Sequence, residues 1–442
     1  MFSGITLSQN LKFTIKNQKD TTVHLIKYFG TKKFYADTGE LKNGVVQFDG
    51  SKQANGILGL LMPGQKYFEF IYNNEDIEFT TEGPDYLGNL TIQKSDENNV
   101  FIPYIKFIGS QKSKMGQLGK QRASLDADSE EYKILTTQIN DINEAVVAYQ
   151  QNIINNHADK LVSKIVKMST EVPIPDAPVD ANGDIIDSNF RFTYYRDHFW
   201  DNVDLTNDAL VNNPIFHNKL EYFFGQNMMI QHWDTVTKFA FKFCDGLNPK
   251  SKMFEYSVGW ITSSFGKSKI MGMDKVYLEM LNRYYCTDNL EGNSPAFWVG
   301  EDKFEDLCDN LKNKLRLTIG SKPFNLYLKD TSDQVWVDFY SLNSDYTILY
   351  FWDPECGHCK KTTPKLETLY KEKFKARNIE IFSVGKAIGD DFENGKSLFV
   401  KTNLHLSMLQ LLTDYIPMQK KLLRNLCLCT PENPTSQQHL NR

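Results

Sequence analysis

The sequence predicts a multi-domain α+β protein: an antiparallel β-sandwich-like N-terminal domain, a central helical region and a C-terminal α/β unit. Three patterns carry that prediction. Residues 10 to about 94 alternate apolar and polar with period 2, and residues 101 to 153 step by threes and fours. A C-x-x-C pair, Cys356 and Cys359, separates a continuous apolar run from a helical one. At 442 residues the chain has room for about three domains.

Composition sets the outer bounds. Hydrophobic residues make up 41% and charged residues 24%, near the globular average. That rules out wholesale disorder, a low-complexity chain and a small disulfide-stapled scaffold. A net charge of −5 argues against a general nucleic-acid binder, so no nucleic-acid partner is expected. No run of about 18 apolar residues occurs, so no transmembrane span is expected and the chain reads as soluble. The stretch MFSGITLSQNLKF has neither a basic segment nor an apolar core, so no signal peptide is expected in the sequence as given.

The first domain is set at residues 1–94. Leu11, Phe13 and Ile15 form one alternating run, Phe68, Phe70 and Tyr72 another, with Ile77/Phe79 and Leu90/Ile92 after them. Turn clusters at Asp37-Thr38-Gly39, Pro63-Gly64 and Asn73-Asn74 separate the runs at hairpin spacing. A helical hairpin region is expected at 95–170. There Tyr132, Leu135, Ile139, Ile142, Val146, Tyr149 and Ile153 form a narrow apolar seam, suited to an intramolecular hairpin or a partner helix. A Pro- and Asp-rich connector covers 171–190. Its Asp180, Asn182 and Asp184 hint at a calcium loop, but Gly183 is misplaced and no Glu closes it, so it reads as a polar turn. Residues 190–318 are helical and aromatic-rich, and His198, His217 and His232 make no i,i+4 metal pair. No cofactor and no metal are expected.

The chemistry is concentrated in the last domain, 319–442. Phe324 to Leu328 and Trp336 to Leu342 are strand-like, and Tyr346 to Trp352 reads as a buried strand. Asp353-Pro354-Glu355-Cys356-Gly357-His358-Cys359-Lys360 follows, then a helix through Leu366, Leu369 and Tyr370, then a second buried strand from Ile379 to Val384. A C-x-x-C pair inside a β-α-β unit is a redox arrangement. Exchange needs a thiolate, and a free cysteine with pKa near 8.5 supplies little of it at neutral pH. At a helix N-terminus, unpaired N–H groups and the helix dipole favour that thiolate on Cys356. Cys359, one turn on, then closes the disulfide. His358, when protonated, favours the thiolate further and raises the potential relative to a Gly-Pro spacer. Cys244, Cys286 and Cys308 read as small buried hydrophobes.

The segment FWDPECGHCKKTTP resembles the thioredoxin superfamily, specifically the TlpA-like thiol–disulfide oxidoreductases of bacterial envelopes. Phe351-Trp352 matches their strand-end aromatic pair, Cys356 and Cys359 the redox pair, and Pro364 the proline that kinks the active-site helix. Gly357-His358 is also the spacer of protein disulfide isomerases. IGSKPFNLYLKD looks like the family's N-terminal hairpin lead-in, and the layout is similar to Bacteroidota envelope proteins with β-rich and helical domains ahead of the redox module. The resemblance implies protein thiols and disulfides as substrates, an electron donor or acceptor as redox partner, and the periplasm or cell envelope as location.

Two departures stand out. Where thioredoxin proper has a buried acid, this chain has Tyr350, and the nearby Asp353 and Glu355 read as solvated loop carboxylates. After Val384 no alternating strand pair is legible, and neither Ile416-Pro417 nor Thr430-Pro431 leads into a strand, so the family's cis-proline hairpin is expected to be missing. Residues 396–442 hold 6 Lys/Arg against 2 Asp/Glu and only Phe399 and Tyr415 as aromatics. That tail, atypical after about residue 390, reads as frameshifted or altered. Two alternatives to the oxidoreductase are a non-catalytic envelope interaction protein with a vestigial redox module, and a zinc module on Cys356, Cys359, Cys427 and Cys429. A peroxidase is weaker, since no Cys follows a Pro-x-x-x-Thr-x-x pattern.

Overall fold

Alternation in the first hundred residues builds two four-stranded sheets. In this computed structural model, which describes residues 9–286, 296–329, 335–353, 356–385 and 409–410, the strands are β1 (Asn10–Lys16), β2 (Thr21–Phe29), β3 (Lys32–Leu41), β4 (Val45–Asp49), β5 (Gly56–Met62), β6 (Lys66–Tyr72), β7 (Ile77–Glu82) and β8 (Thr91–Lys94). One sheet has the order β4-β1-β7-β8, the other β3-β2-β5-β6. Their inner faces meet in a phenylalanine cluster. Phe13 contacts Phe48, Phe68, Phe70 and Phe79 at centroid distances of 5.3 to 6.2 Å, which is two-sheet packing with apolar side chains alternating inward.

One pair departs from the expected antiparallel arrangement: β1 runs parallel to β7, from Leu11↔Ile77 to Lys16↔Glu82. Hairpin spacing reports only on neighbours in sequence, and a parallel pair needs a crossover, here made through the second sheet.

The helical seam closes within the chain. α1 (Asn98–Arg122) and α2 (Glu130–Asn156) form a hairpin. Tyr149 lies against Tyr104 and Phe107 at 6.0 and 4.8 Å, and Gln150 donates to the Tyr104 hydroxyl at 3.1 Å. Asn98, fully buried, ties α1 to β6 by giving and taking a hydrogen bond with the Ile71 backbone. Glu97 is also buried, and accepts from the Leu161 and Val162 N–H groups that open α3 (Leu161–Ser169).

The connector's Asp180 accepts the N–H groups of Asn182 and Asp184, closing a polar turn. Five further helices follow: α4 (Phe190–His198), α5 (Pro214–Phe224), α6 (Trp233–Asp245), α7 (Lys252–Gly266) and α8 (Asp274–Met280). Trp200 packs against Phe216, Phe223 and Phe243 at their centre. His217 shares a hydrogen bond with Tyr256 at 2.7 Å, and His198 with Asp201 at 2.7 Å. Gly30 fits this region to the β-rich part: its φ is +60°, and a Cβ there would fall 1.7 Å from Tyr256 Oη.

Cysteine use differs from expectation. Cys244 is buried, but Cys286 and Cys308 form a disulfide, with Cα atoms 5.5 Å apart and a sequence separation of 22. The chain turns back between the end of α8 and α9 (Glu301–Leu315), and single scattered cysteines do not reveal that return.

The chain forms two compact units, divided within α9 between Leu311 and Lys312. The second unit holds β9 (Tyr327–Lys329), β10 (Trp336–Asp338), β11 (Tyr346–Trp352), α10 (Gly357–Leu369), β12 (Ile379–Gly385) and β13 (Leu409–Gln410). Its sheet order is β10-β9-β13-β12-β11. β9 and β10 form an antiparallel hairpin, and β11 runs parallel to β12. β13, parallel to β12, is a strand after Val384 that the sequence did not suggest, because two residues carry no alternation. β11 was expected to be fully buried, yet Trp352 is 4% exposed and Tyr346 71%. Among the described residues β11 pairs with β12 alone, which leaves its other edge without a ladder. Pro417 and Pro431, Cys427 and Cys429 lie outside the described residues.

Candidate active site

A continuous apolar strand followed by a helix with no spacer of regular structure puts the turn between them at the sheet's carboxyl end. β11 ends at Trp352 and α10 begins at Gly357, with Cys356 as its N-cap in extended backbone geometry (φ −73°, ψ 116°). The Cys356 N–H donates to the Asp353 carbonyl at 3.1 Å, and the Cys356 carbonyl accepts from Lys360 N–H at 3.0 Å. These bonds fix the turn and leave Cys356 Sγ at the mouth of the helix.

The two sulfurs sit in different surroundings. Cys356 and Cys359 are both free thiols, partly accessible to solvent. The Cys359 backbone N–H, then the Cys359 thiol, hold the Cys356 thiol below its ordinary pKa, and the His358 backbone N–H acts in the same direction. This is stabilisation of a thiolate by unpaired helix-end donors. Cys359 goes the other way, raised by burial and then by its neighbour Cys356. The pair therefore divides into one sulfur whose ionisation the helix end favours and another whose ionisation burial opposes.

Each expected supporting residue has a definite place. Gly357 and His358 are exposed in the first turn of α10, and what His358 supplies to Cys356 is its backbone N–H. Trp352 and Ile381 form a small core on which Ile348, Tyr350, Cys359, Leu366, Tyr370 and Phe374 pack. Pro364 lies inside α10; lacking an N–H, it cannot close the bond to the carbonyl four residues back. The Asp353 charge disfavours ionisation of both sulfurs. Glu355 lies outside the described residues.

Sequence reasoning missed Thr363. It is 1% exposed, donates to the Cys359 carbonyl at 2.8 Å, and meets the Tyr350 hydroxyl at 2.9 Å. The signal was present: Cys359 and Thr363 are i,i+4 on one helix face, and Tyr350 and Trp352 are i,i+2 on one strand face.

No cluster of three or more His, Cys, Asp or Glu poised for a metal occurs among the described residues. Among them, no helix is long and apolar enough to cross a membrane.

Residues 9–101 match a family described as a domain of unknown function, DUF4369. No curated protein matches the chain. A thioredoxin-like protein from Bacteroides caccae aligns at 17% identity and TM-score 0.38, over 57% of this chain and 86% of its own. A domain of a possible thiol-disulfide isomerase from Cytophaga hutchinsonii aligns at 26% identity and TM-score 0.19, over 22% and 64%. A secreted disulfide oxidoreductase from Mycobacterium tuberculosis aligns at 20% identity and TM-score 0.17, over 19% and 59%. The last two are matched over less than two thirds of their own length. By its own strands and helices the chain is a mixed α+β protein.

Proposed function

We propose that this chain is a thiol–disulfide oxidoreductase of the thioredoxin superfamily, of the TlpA-like envelope type, acting on protein thiols and disulfides through Cys356 and Cys359. One observation carries the reading: a thiol at the N-cap of α10 held low by helix-end N–H groups, with a second, half-buried thiol one turn behind it.

In the reducing direction, the Cys356 thiolate attacks one sulfur of a substrate disulfide. A mixed disulfide forms and the other substrate sulfur leaves with the bonding electron pair. Cys359 then loses its proton and attacks Cys356 Sγ, releasing the substrate as a dithiol and leaving Cys356–Cys359 oxidised. The substrate gains two electrons and the pair loses two; the reverse sequence oxidises a dithiol. A separate donor or acceptor resets the pair, and its potential sets the direction. The Cys286–Cys308 disulfide supports an oxidising compartment, since such bonds persist there and are rare in the reducing cytosol.

The test is turnover of a disulfide-bonded protein such as insulin, with dithiothreitol as donor. The wild-type chain should accelerate reduction, Cys356→Ala should abolish the acceleration, and Cys359→Ala should accumulate a mixed disulfide on Cys356. No acceleration and no trapped species would overturn the assignment.

A further inference from the structure

Between the end of α2, the helix α3 and the turn at residues 201–204, the first unit holds a cleft of about 390 Å³. That is within the size range of small-molecule sites. α3 has two faces there. Leu161, Val162, Ile165, Val166 and Met168 bury one side of the helix, while Ser163, Lys164 and Lys167, on the remaining arc, line the cleft. Ile154 and Ala158 near the end of α2, with Val203 of the turn, supply an aliphatic wall. Two bonds hold the walls together without help from a ligand. Lys164 Nζ pairs with Asp204 at 2.9 Å, and Asn202 Nδ2 donates to Thr170 Oγ1, just past α3, at 3.0 Å.

The polar groups of the lining are not all spent. Asp204 is fully engaged, one oxygen with Lys164 and the other with the N–H and hydroxyl of Thr206. Asp201 shares one oxygen with His198, and its other oxygen has no donor among the described residues. The Lys167 ammonium has no partner among them either, nor has the Ser163 hydroxyl, although Ser163 is only 3% exposed. A hydroxyl enclosed to that degree ordinarily has a hydrogen-bond partner. Ser163 and Lys167 are i,i+4 on α3, so the two unspent donors lie side by side.

We propose that this cleft binds a short apolar peptide with both ends free. Its carboxylate meets Lys167 and Ser163, its ammonium meets Asp201, and its aliphatic side chains lie on Ile154, Ala158 and Val203. The charge balance selects this class. Two lysines against two aspartates leave the lining formally neutral, so a ligand of one net charge gains at one group and loses at another. A peptide with free ends gains at both and carries no net charge. Size selects against a single amino acid, since a cleft of this volume has room for about thirty waters. Lys167 and Asp201 are exposed, so each contact is a surface ion pair and the dissociation constant is on the order of 1 mM.

The inference concerns the first unit and stands apart from Cys356 and Cys359. In the test, the methyl-labelled full chain is titrated with leucylleucine and followed by NMR. The Ile154, Ala158 and Val203 methyl resonances should shift saturably. N-acetyl-leucylleucine lacks the ammonium and leucylleucinamide the carboxylate, and each should bind about three- to five-fold more weakly. Lys167→Met keeps an apolar stem and removes the charge. It should weaken leucylleucine by the same factor and leave leucylleucinamide unchanged. Asp201→Asn should weaken leucylleucine and leave the N-acetyl peptide unchanged. No saturable shift at these methyls overturns the proposal, as do equal affinities for the three peptides or a variant that weakens all three alike. None of those results touches the oxidoreductase reading.

Discussion

Trp352 lies opposite Gly385 in the parallel β11–β12 register, and its indole fills the space that a side chain at Gly385 would need: a Cβ built there falls 2.9 Å from both Cε2 and Cζ2. The ring that ends the strand before the Cys356 turn is thus seated on a bare backbone position of its neighbour. Gly385→Ala should displace the indole and cost about 1–3 kcal/mol. Chemical denaturation with tryptophan fluorescence would show a lower midpoint and an altered native spectrum; identical curves would mean that the indole has room to move.

Alkylation of Cys356 should titrate below the ordinary thiol value of about 8.5, since helix-end N–H groups favour its thiolate. The sign for stability follows. A depressed folded value contributes stability above the unfolded value and loses it as pH falls through the folded one. In Cys359→Ala the backbone donor stays and the thiol donor goes, so the midpoint should rise part of the way toward the free value. Peptide-resolved alkylation across pH decides; a wild-type midpoint at the free-thiol value sinks the prediction.

The Cys286–Cys308 bond closes a loop with a sequence separation of 22. Replacing both cysteines by serine should destabilise the first unit by about 3 kcal/mol on loop-entropy grounds. Reducing conditions should lower the wild-type unfolding midpoint and leave the double variant untouched. Equal responses of the two proteins to reductant would show that the bond contributes nothing.

Glu97 is 4% exposed and accepts from Leu161 N–H, Val162 N–H and Asn73 Nδ2 at 2.8, 2.9 and 2.8 Å. Glu97→Ala strands these donors and should cost about 2–3 kcal/mol. Amide hydrogen exchange in the first turn of α3 should quicken before the rest of the unit responds. Unaltered protection there would assign the helix start to packing alone.

How much of this was legible depends on the range of the interaction. The strand–turn–helix at Tyr346 to Leu369 was readable because a continuous apolar run, a C-x-x-C and an i,i+4 pattern are all local. The α1–α2 hairpin was readable in the same way, from a seam that Leu135, Ile139 and Ile153 bury. What failed is non-local. The Cys286–Cys308 bond depends on where α9 returns, and the β1–β7 pair on a crossover through another sheet. The half-exposure of β11 depends on what borders it, which its own seven residues do not record. Tyr350 was noticed only as the absence of an acid; its hydrogen bond is to Thr363, thirteen residues on, which strand alternation does not record.

The parallel β1–β7 pair also sets an order of events during synthesis. Lys12 and Glu78, ion-paired across it at 2.6 Å, are 66 residues apart. A ribosome adds 5–20 residues per second, so Glu78 trails Lys12 by about 3 to 13 seconds. Throughout that interval β1 has no strand on its β7 side, while the β2–β3 and β5–β6 hairpins, joined by short turns, are complete as soon as they emerge. β1 waits for β7 as β7 in turn waits for β8, and a nascent chain stalled before Ile77 would carry β1, with Leu11, Phe13 and Ile15, lacking its β7 neighbour for a chaperone to cover.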